Sequence, residues 1–223
     1  MNIKNYLAAT DSEMNYVVAH PDDYKGLPLL IFLHGAGERG RNIDHLYRHA
    51  IPAMIKDGIE IPAVVLYPQC PGQFIWNNMV KELKEIIEKV AAEYEVDSSR
   101  ICLTGSSMGG YGTWEMALTY PEMFSAIAPV AGGGVQWRTV RLKSVPVIAY
   151  HGDADDVVPI IMSEIMVDSA KKNGAQAELV RLQGLGHNDG INYAYRNTDL
   201  ISRLLSYERT DFSHVYEPCE ELF

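Results

Sequence analysis

Two patterns of apolar and polar positions take turns along this chain. Short runs rich in apolar residues occur at 14–19, 27–33, 63–67, 101–103, 126–131, 145–150 and 178–182. Between them lie segments with apolar residues at helical spacing, at 43–56, 77–94, 111–120, 160–172 and 199–207. In the second of these, positions 79, 80, 83, 86, 87, 90 and 91 are apolar, with lysine and glutamate between them, one face of an amphipathic helix. A strand apolar at nearly every position, such as 27–33, is buried on both faces, as in a parallel sheet covered by helices. Strand and helix alternate without repeats, low-complexity segments or a domain-sized linker. The pattern predicts one α/β domain over 1–223, with a mostly parallel sheet and helices on both faces. In such sheets ligands sit beyond the carboxyl ends of the strands.

Four turns leave strands at that edge. Ile101 to Leu103 runs through Thr104-Gly105-Ser106-Ser107-Met108-Gly109-Gly110 into a helical pattern. Gly105, Ser107 and Gly109 form G-x-S-x-G between a strand and a helix, the context of a nucleophile elbow. A serine at the tip of so sharp a turn needs neighbours without a Cβ. Ser106 is out of register, because threonine stands at 104. A hydroxyl needs an adjacent base, itself oriented by a third group. His187, beside Gly186 in a short loop after the last strand, is the candidate base. The turn 151–159 carries three carboxylates. Asp155 is the candidate acid, Asp156 the alternative, and Asp153 is expected to brace the turn. Ser107, Asp155 and His187 follow one another in the order of α/β-hydrolases. The glycine-rich His34-Gly35-Ala36-Gly37 loop would bring backbone amides to a developing oxyanion. Ala36 N–H is the choice there, with Gly35 or Gly37 open, and Met108 N–H supplies the second donor.

Composition narrows the partners. The 223 residues are 47% hydrophobic and carry a net charge of −10 without a basic run, which argues against nucleic acid or an anionic membrane. Three scattered cysteines without C-x-x-C favour a reduced, intracellular setting. No signal-like N-terminus and no long apolar segment are visible, so a cytoplasmic location is the expectation.

His34-Gly35-Ala36-Gly37, Pro68-Gln69-Cys70-Pro71 with Trp76, the Ser107 elbow, His151-Gly152-x-x-Asp155 and Gly186-His187 together resemble the carboxylesterase/dienelactone-hydrolase group of α/β-hydrolases. Within it they are most similar to small esterases related to feruloyl esterases, phospholipase/carboxylesterases and acyl-protein thioesterases. The resemblance implies an α/β-hydrolase fold and cofactor-free ester hydrolysis, and it supports Asp155 as the acid. The interval Gly132 to Ser144 is too short for a substantial helical lid. An open cleft and a small soluble ester are therefore expected: a short-chain acyl, acetyl-sugar or hydroxycinnamoyl ester, with a thioester as a further option. Trp76, Tyr111 and Trp137 are candidates to line the cleft, each with core packing as the competing role. Glu38 could contact a polar substrate, although a solvated loop charge is the simpler expectation for it and for Arg39. His45 and His49 stand four apart on an expected helix, but no H-E-x-x-H accompanies them and no metal site is assigned. His34 and His151, at strand ends, are expected to be structural. Two other readings compete with the esterase: a peptidase of the prolyl-oligopeptidase type, and a non-catalytic small-molecule-binding protein on the same fold.

Overall fold

The computed structural model describes residues 1–10 and 13–210. Eight strands form one sheet: β1 (Asn2–Tyr6), β2 (Asn15–His20), β3 (Leu29–Leu33), β4 (Val64–Gln69), β5 (Ile101–Ser106), β6 (Ala126–Val130), β7 (Val147–Gly152) and β8 (Ala177–Leu182). Their order across the sheet is β1-β2-β4-β3-β5-β6-β7-β8. β1 and β2 pair antiparallel, as do β2 and β4, and every pair from β4 to β8 is parallel. This is the α/β-hydrolase fold. The pleat sends alternate residues to opposite faces. Leu29, Ile31 and Leu33 join one core with α2 (Val80–Glu93), α3 (Met108–Thr119) and α4 (Ile161–Lys172). Leu30 and Phe32 join the other with α1 (Ala50–Lys56), α5 (His187–Asn197) and α6 (Leu200–Leu205).

The structure departs from the sequence pattern in three places. Strand β1 was not expected, since its residues are mostly exposed and show no apolar face. The segment 43–56 is not one helix. A 3-10 helix, Ile43–Arg48, ends at His49, and α1 starts at Ala50, whose φ of 49° lies in the left-handed region. His45 and His49 therefore do not share a helix. Finally, α5 begins at His187 itself, where a loop was expected. Asn188, Asp189 and Gly190 masked the helical spacing of Ile191, Ala194 and Tyr195.

After β6 the chain makes only a 3-10 helix, Gln136–Leu142, before β7, and among the described residues no large lid covers the strand ends. Among the described residues no helix is long and apolar enough to cross a membrane. Cys70 and Cys102 are buried free thiols; Cys219 and the tail from 211 lie outside the described residues.

The register sets Leu33 beside Gly105 and Ser106 beside Val130, so the turns after β3, β5 and β6 meet at one edge. Helix α3 reaches that edge by backbone contact. A Cβ at position 109 would lie 1.9 Å from the Leu33 carbonyl oxygen. In a free helix, glycine-to-alanine gains about 1 kcal/mol. Here overpacking against backbone reverses the sign: Gly109→Ala is expected to destabilise the protein by about 3 kcal/mol, read as a lowered Tm. An unchanged or raised Tm would mean that α3 moves off β3 without cost.

Candidate active site

Ser107 sits between β5 and α3 with φ 55° and ψ −118°, a conformation that costs a residue with a Cβ roughly 1–3 kcal/mol. Neighbouring bonds hold it: Ser107 N–H donates to Val130 O at 2.9 Å, and its carbonyl accepts from Tyr111 N–H at 3.0 Å. The turn aims the hydroxyl at His187, whose Nε2 lies 3.0 Å from Ser107 Oγ. On the other side of the ring, Nδ1 lies 2.7 Å from Asp155 Oδ2. A carboxylate can only accept, so Nδ1 carries the proton and Nε2 is left to accept the serine O–H. Asp155 Oδ1 accepts from Val157 N–H at 2.9 Å and Val158 N–H at 2.8 Å. Burial pushes the Asp155 carboxyl up, but the bonds from His187, Val158 and Val157 outweigh it and hold it below its usual range. A close approach brings the β7 turn to the histidine: a Cβ at Gly152 would lie 2.2 Å from Leu185 O.

The neighbouring carboxylates take other parts. Asp153 Oδ1 accepts from Gly184 N–H at 2.6 Å, bracing the turn as expected. Asp156 is exposed. His151 is fully buried, with Nε2 2.8 Å from Val158 O and Nδ1 2.8 Å from Ser163 Oγ. Its role is structural: it ties the Asp155 turn to α4.

Across the cleft, the loop after β3 forms a 3-10 turn, Ala36–Glu38. His34 pins it, accepting from Cys70 N–H at 2.9 Å through Nε2 and donating to Gly35 O at 2.6 Å through Nδ1. Arg39 adds bonds to Ala36 O at 3.1 Å and Phe74 O at 3.3 Å. Ala36 and Met108 are the first residues of their helices, where amides have no partner within the helix. The Met108 side chain packs on the core.

These loops enclose a cavity of about 310 Å³, walled by Gly35, Ala36, Gly37, Glu38, Ser107, His187 and Asn188, with Phe32, Leu46, His49, Val157 and Ile191 around them. Ser107, His187, Ala36 and Glu38 thus meet at one cavity. Asp155 and Met108 are not among its lining residues, and neither are the three aromatic residues expected in the cleft. Trp76 is fully buried, its Nε1 donating to His34 O at 2.9 Å and its ring packed edge-on against His34; it is a strut under the loop and not a cleft wall. Trp137 is 57% exposed on the 3-10 helix after β6, and Tyr111 is half-buried beside Gly133. Glu38, expected to be solvated, is 7% exposed. Pattern reading missed His49, Leu46 and Ile191. The faint signal was the apolar spacing of 43–56, which puts Leu46 on the buried side. Among the described residues no three potential ligand side chains cluster to hold a metal.

Burial lowers His34 to about 4, from an ordinary 6.5, against the opposing bond to Gly35 O. Because the folded value is the lower one, the unfolded chain binds the proton more readily. The stability this group contributes is complete above pH 6.5 and drains away as the pH falls to about 4, by about 3 kcal/mol in all. Urea unfolding at pH 7, 5 and 4 should show that decline, and His34→Gln should remove much of it. A pH-independent midpoint in the wild type would contradict the buried neutral imidazole.

Residues 72–192, more than half of the chain, match the phospholipase/carboxylesterase family. A bifunctional acetylxylan esterase/xylanase of Neocallimastix patriciarum is 29% identical over 136 residues, covering 59% of this chain and 20% of that protein. The crystal structure of a thermostable esterase superposes with a TM-score of 0.79 at 28% identity, over 93% of this chain and 63% of the other. This chain therefore spans less than two thirds of either. The feruloyl esterase module from Clostridium thermocellum shares the fold, with a TM-score of 0.71 at 15% identity over 97% and 91% of the two chains. The chain belongs to the phospholipase/carboxylesterase family of α/β-hydrolases.

Proposed function

We propose that this protein is a serine carboxylesterase that hydrolyses small soluble esters through an acyl-enzyme. The observation that carries the reading is the unbroken chain of hydrogen bonds from Ser107 Oγ through His187 to Asp155. Ser107 Oγ attacks the ester carbonyl carbon while His187 Nε2 takes the hydroxyl proton, and Asp155 stabilises the imidazolium. The carbonyl electron pair moves onto oxygen, where Ala36 N–H and Met108 N–H receive it. Preorganised donors of this kind lower the barrier by about 3–4 kcal/mol each. As the tetrahedral adduct collapses, the C–O bond to the alcohol breaks and His187 returns the proton to the departing oxygen. Water then enters, gives a proton to His187 and attacks the acyl carbon. As this second adduct collapses, the bond from the acyl carbon to Oγ breaks, His187 returns the proton to Ser107 Oγ, and the acid is released. No cofactor is needed, since every proton has a donor and an acceptor in the chain. A cavity of about 310 Å³ without a large lid suits a short acyl group and a small alcohol. The resemblance to acetylxylan and feruloyl esterases supports acetyl-sugar or hydroxycinnamoyl esters as natural substrates.

Hydrolysis of p-nitrophenyl acetate, butyrate and octanoate by wild type and Ser107→Ala tests the reading. The expected loss in kcat is on the order of 10³–10⁶-fold, with acetate and butyrate preferred over octanoate. Asp155→Asn should cost about 10⁴-fold, because the imidazole would settle in the wrong tautomer. Equal rates in wild type and Ser107→Ala would overturn the mechanism and favour a binding protein on a hydrolase fold.

A further inference from the structure

Glu38 is a carboxylate without a protein donor. Among the described residues no side chain forms a hydrogen bond or a close ion pair with its carboxylate. His34 Nδ1 is 3.9 Å from Oε2 and His49 Nε2 is 3.9 Å from Oε1, both beyond hydrogen-bond range. His34 cannot serve as its ion-pair partner, because that Nδ1–H is committed to Gly35 O and burial keeps the ring neutral above a pKa of about 4. Yet the side chain is only 10% exposed and walls the same cavity as Ser107 and His187. Its oxygens are not sealed in the core, so the donors a carboxylate requires come from the cavity's contents, water or a bound hydroxyl.

We propose that Glu38 is a specificity-determining residue that accepts hydrogen bonds from a hydroxyl group of the substrate, next to the scissile ester. Its place in the loop fits that part. Glu38 ends the turn that begins at Ala36, so a substrate whose carbonyl oxygen meets the Ala36 amide carries its neighbouring carbons past the carboxylate. His49, half exposed beside Glu38, can bind a second hydroxyl as donor or acceptor. Val157, 64% exposed, and Ile191 offer apolar surface to the C–H face of a hydroxylated carbon chain. A quaternary ammonium is the less suitable occupant. Phe32, the cavity's one aromatic residue besides histidine, is 2% exposed and offers no open π-face. The hydroxyl can belong to the alcohol, as in a sugar or polyol ester, or to the acyl group, as in a hydroxyacyl ester.

Two matched pairs separate these sources: glycerol 1-acetate against propyl acetate, and ethyl 3-hydroxybutyrate against ethyl butyrate. The kinetic arm rests on the serine-esterase reading. In wild type, kcat/KM for the hydroxylated member of one pair should exceed its partner by about tenfold or more, as expected for a hydrogen bond to a charged group. Glu38→Gln should bring that ratio toward one, and Glu38→Asp, which keeps the charge but withdraws it by one methylene, should bring it part of the way. Near-UV circular dichroism of each variant verifies the fold. The second arm needs no turnover: calorimetric titration of Ser107→Ala with the same intact esters should show tighter binding of the hydroxylated member, lost in Ser107→Ala/Glu38→Gln. Ratios near one in both pairs, ratios unmoved by Glu38→Gln, or stronger discrimination in favour of acetylcholine than of either hydroxylated ester would overturn the proposal. Absent turnover together with retained binding discrimination would remove the esterase reading and leave the Glu38 subsite standing.

Discussion

Backbone contact between helix α3 and the end of strand β3 is the constraint on which the site depends. Gly109 lies so close to the Leu33 carbonyl that no side chain fits between them. That approach fixes three things together. It forces the tight, left-handed turn at Ser107, because the chain must reverse from strand to helix within one residue. It sets the N-terminus of α3 directly after Ser107, and a helix N-terminus favours negative charge. It also sets the Ala36–Glu38 turn, which continues directly from β3, opposite that N-terminus. The strain at Ser107 is local and small beside the burial of β5 and α3 on both sides of it. Leu103, Trp114, Met116, Ala117 and Leu118 lie in one core and Cys102 in the other, and this packing holds the turn in a conformation it would not adopt alone.

The site is built from strand ends, and strand ends were the legible part of the sequence. A parallel strand buried on both faces must be apolar at nearly every position, so its carboxyl end is marked by the first polar or glycine residues after the run. His34-Gly35, Ser106-Ser107 and His151-Gly152 all announce themselves in that way. What the sequence concealed depended on distant neighbours. Strand β1 pairs at the edge with its side chains in water, so nothing selects an apolar face. Ala50 adopts a positive φ because the packing of Ile51 and Met54 against the sheet requires the turn there, and alanine carries no local sign of it. Helix α5 opens with residues that elsewhere make turns, and it forms because Ile191, Ala194 and Tyr195 find the second core. Glu38 is hidden for the same kind of reason. A charge in a glycine-rich loop is ordinarily solvated, and only the fold shows that His34, His49 and the strand ends close around it.

The histidines show most clearly how environment, and not residue type, divides the labour. His34 and His151 both stand beside a glycine at a strand end, as His187 stands beside one at the start of α5. His34 spends both ring nitrogens on the backbone, at Gly35 and Cys70. His151 spends its own on Val158 O and the Ser163 hydroxyl, and burial holds it below its usual value. An imidazole with both nitrogens committed to fixed partners is a brace: moving its proton would break a bond that positions a loop. His187 differs in that its partners are two side chains, a carboxylate that can stabilise positive charge and a hydroxyl that can surrender its proton. Asp155 Oδ2 is also 3.4 Å from His151 Nε2, but that nitrogen already lies 2.8 Å from the Val158 carbonyl. The carboxylate is thereby left to orient His187. Of the three rings only His187 has a carboxylate and a hydroxyl as its partners, and the other two hold the loops on either side of it.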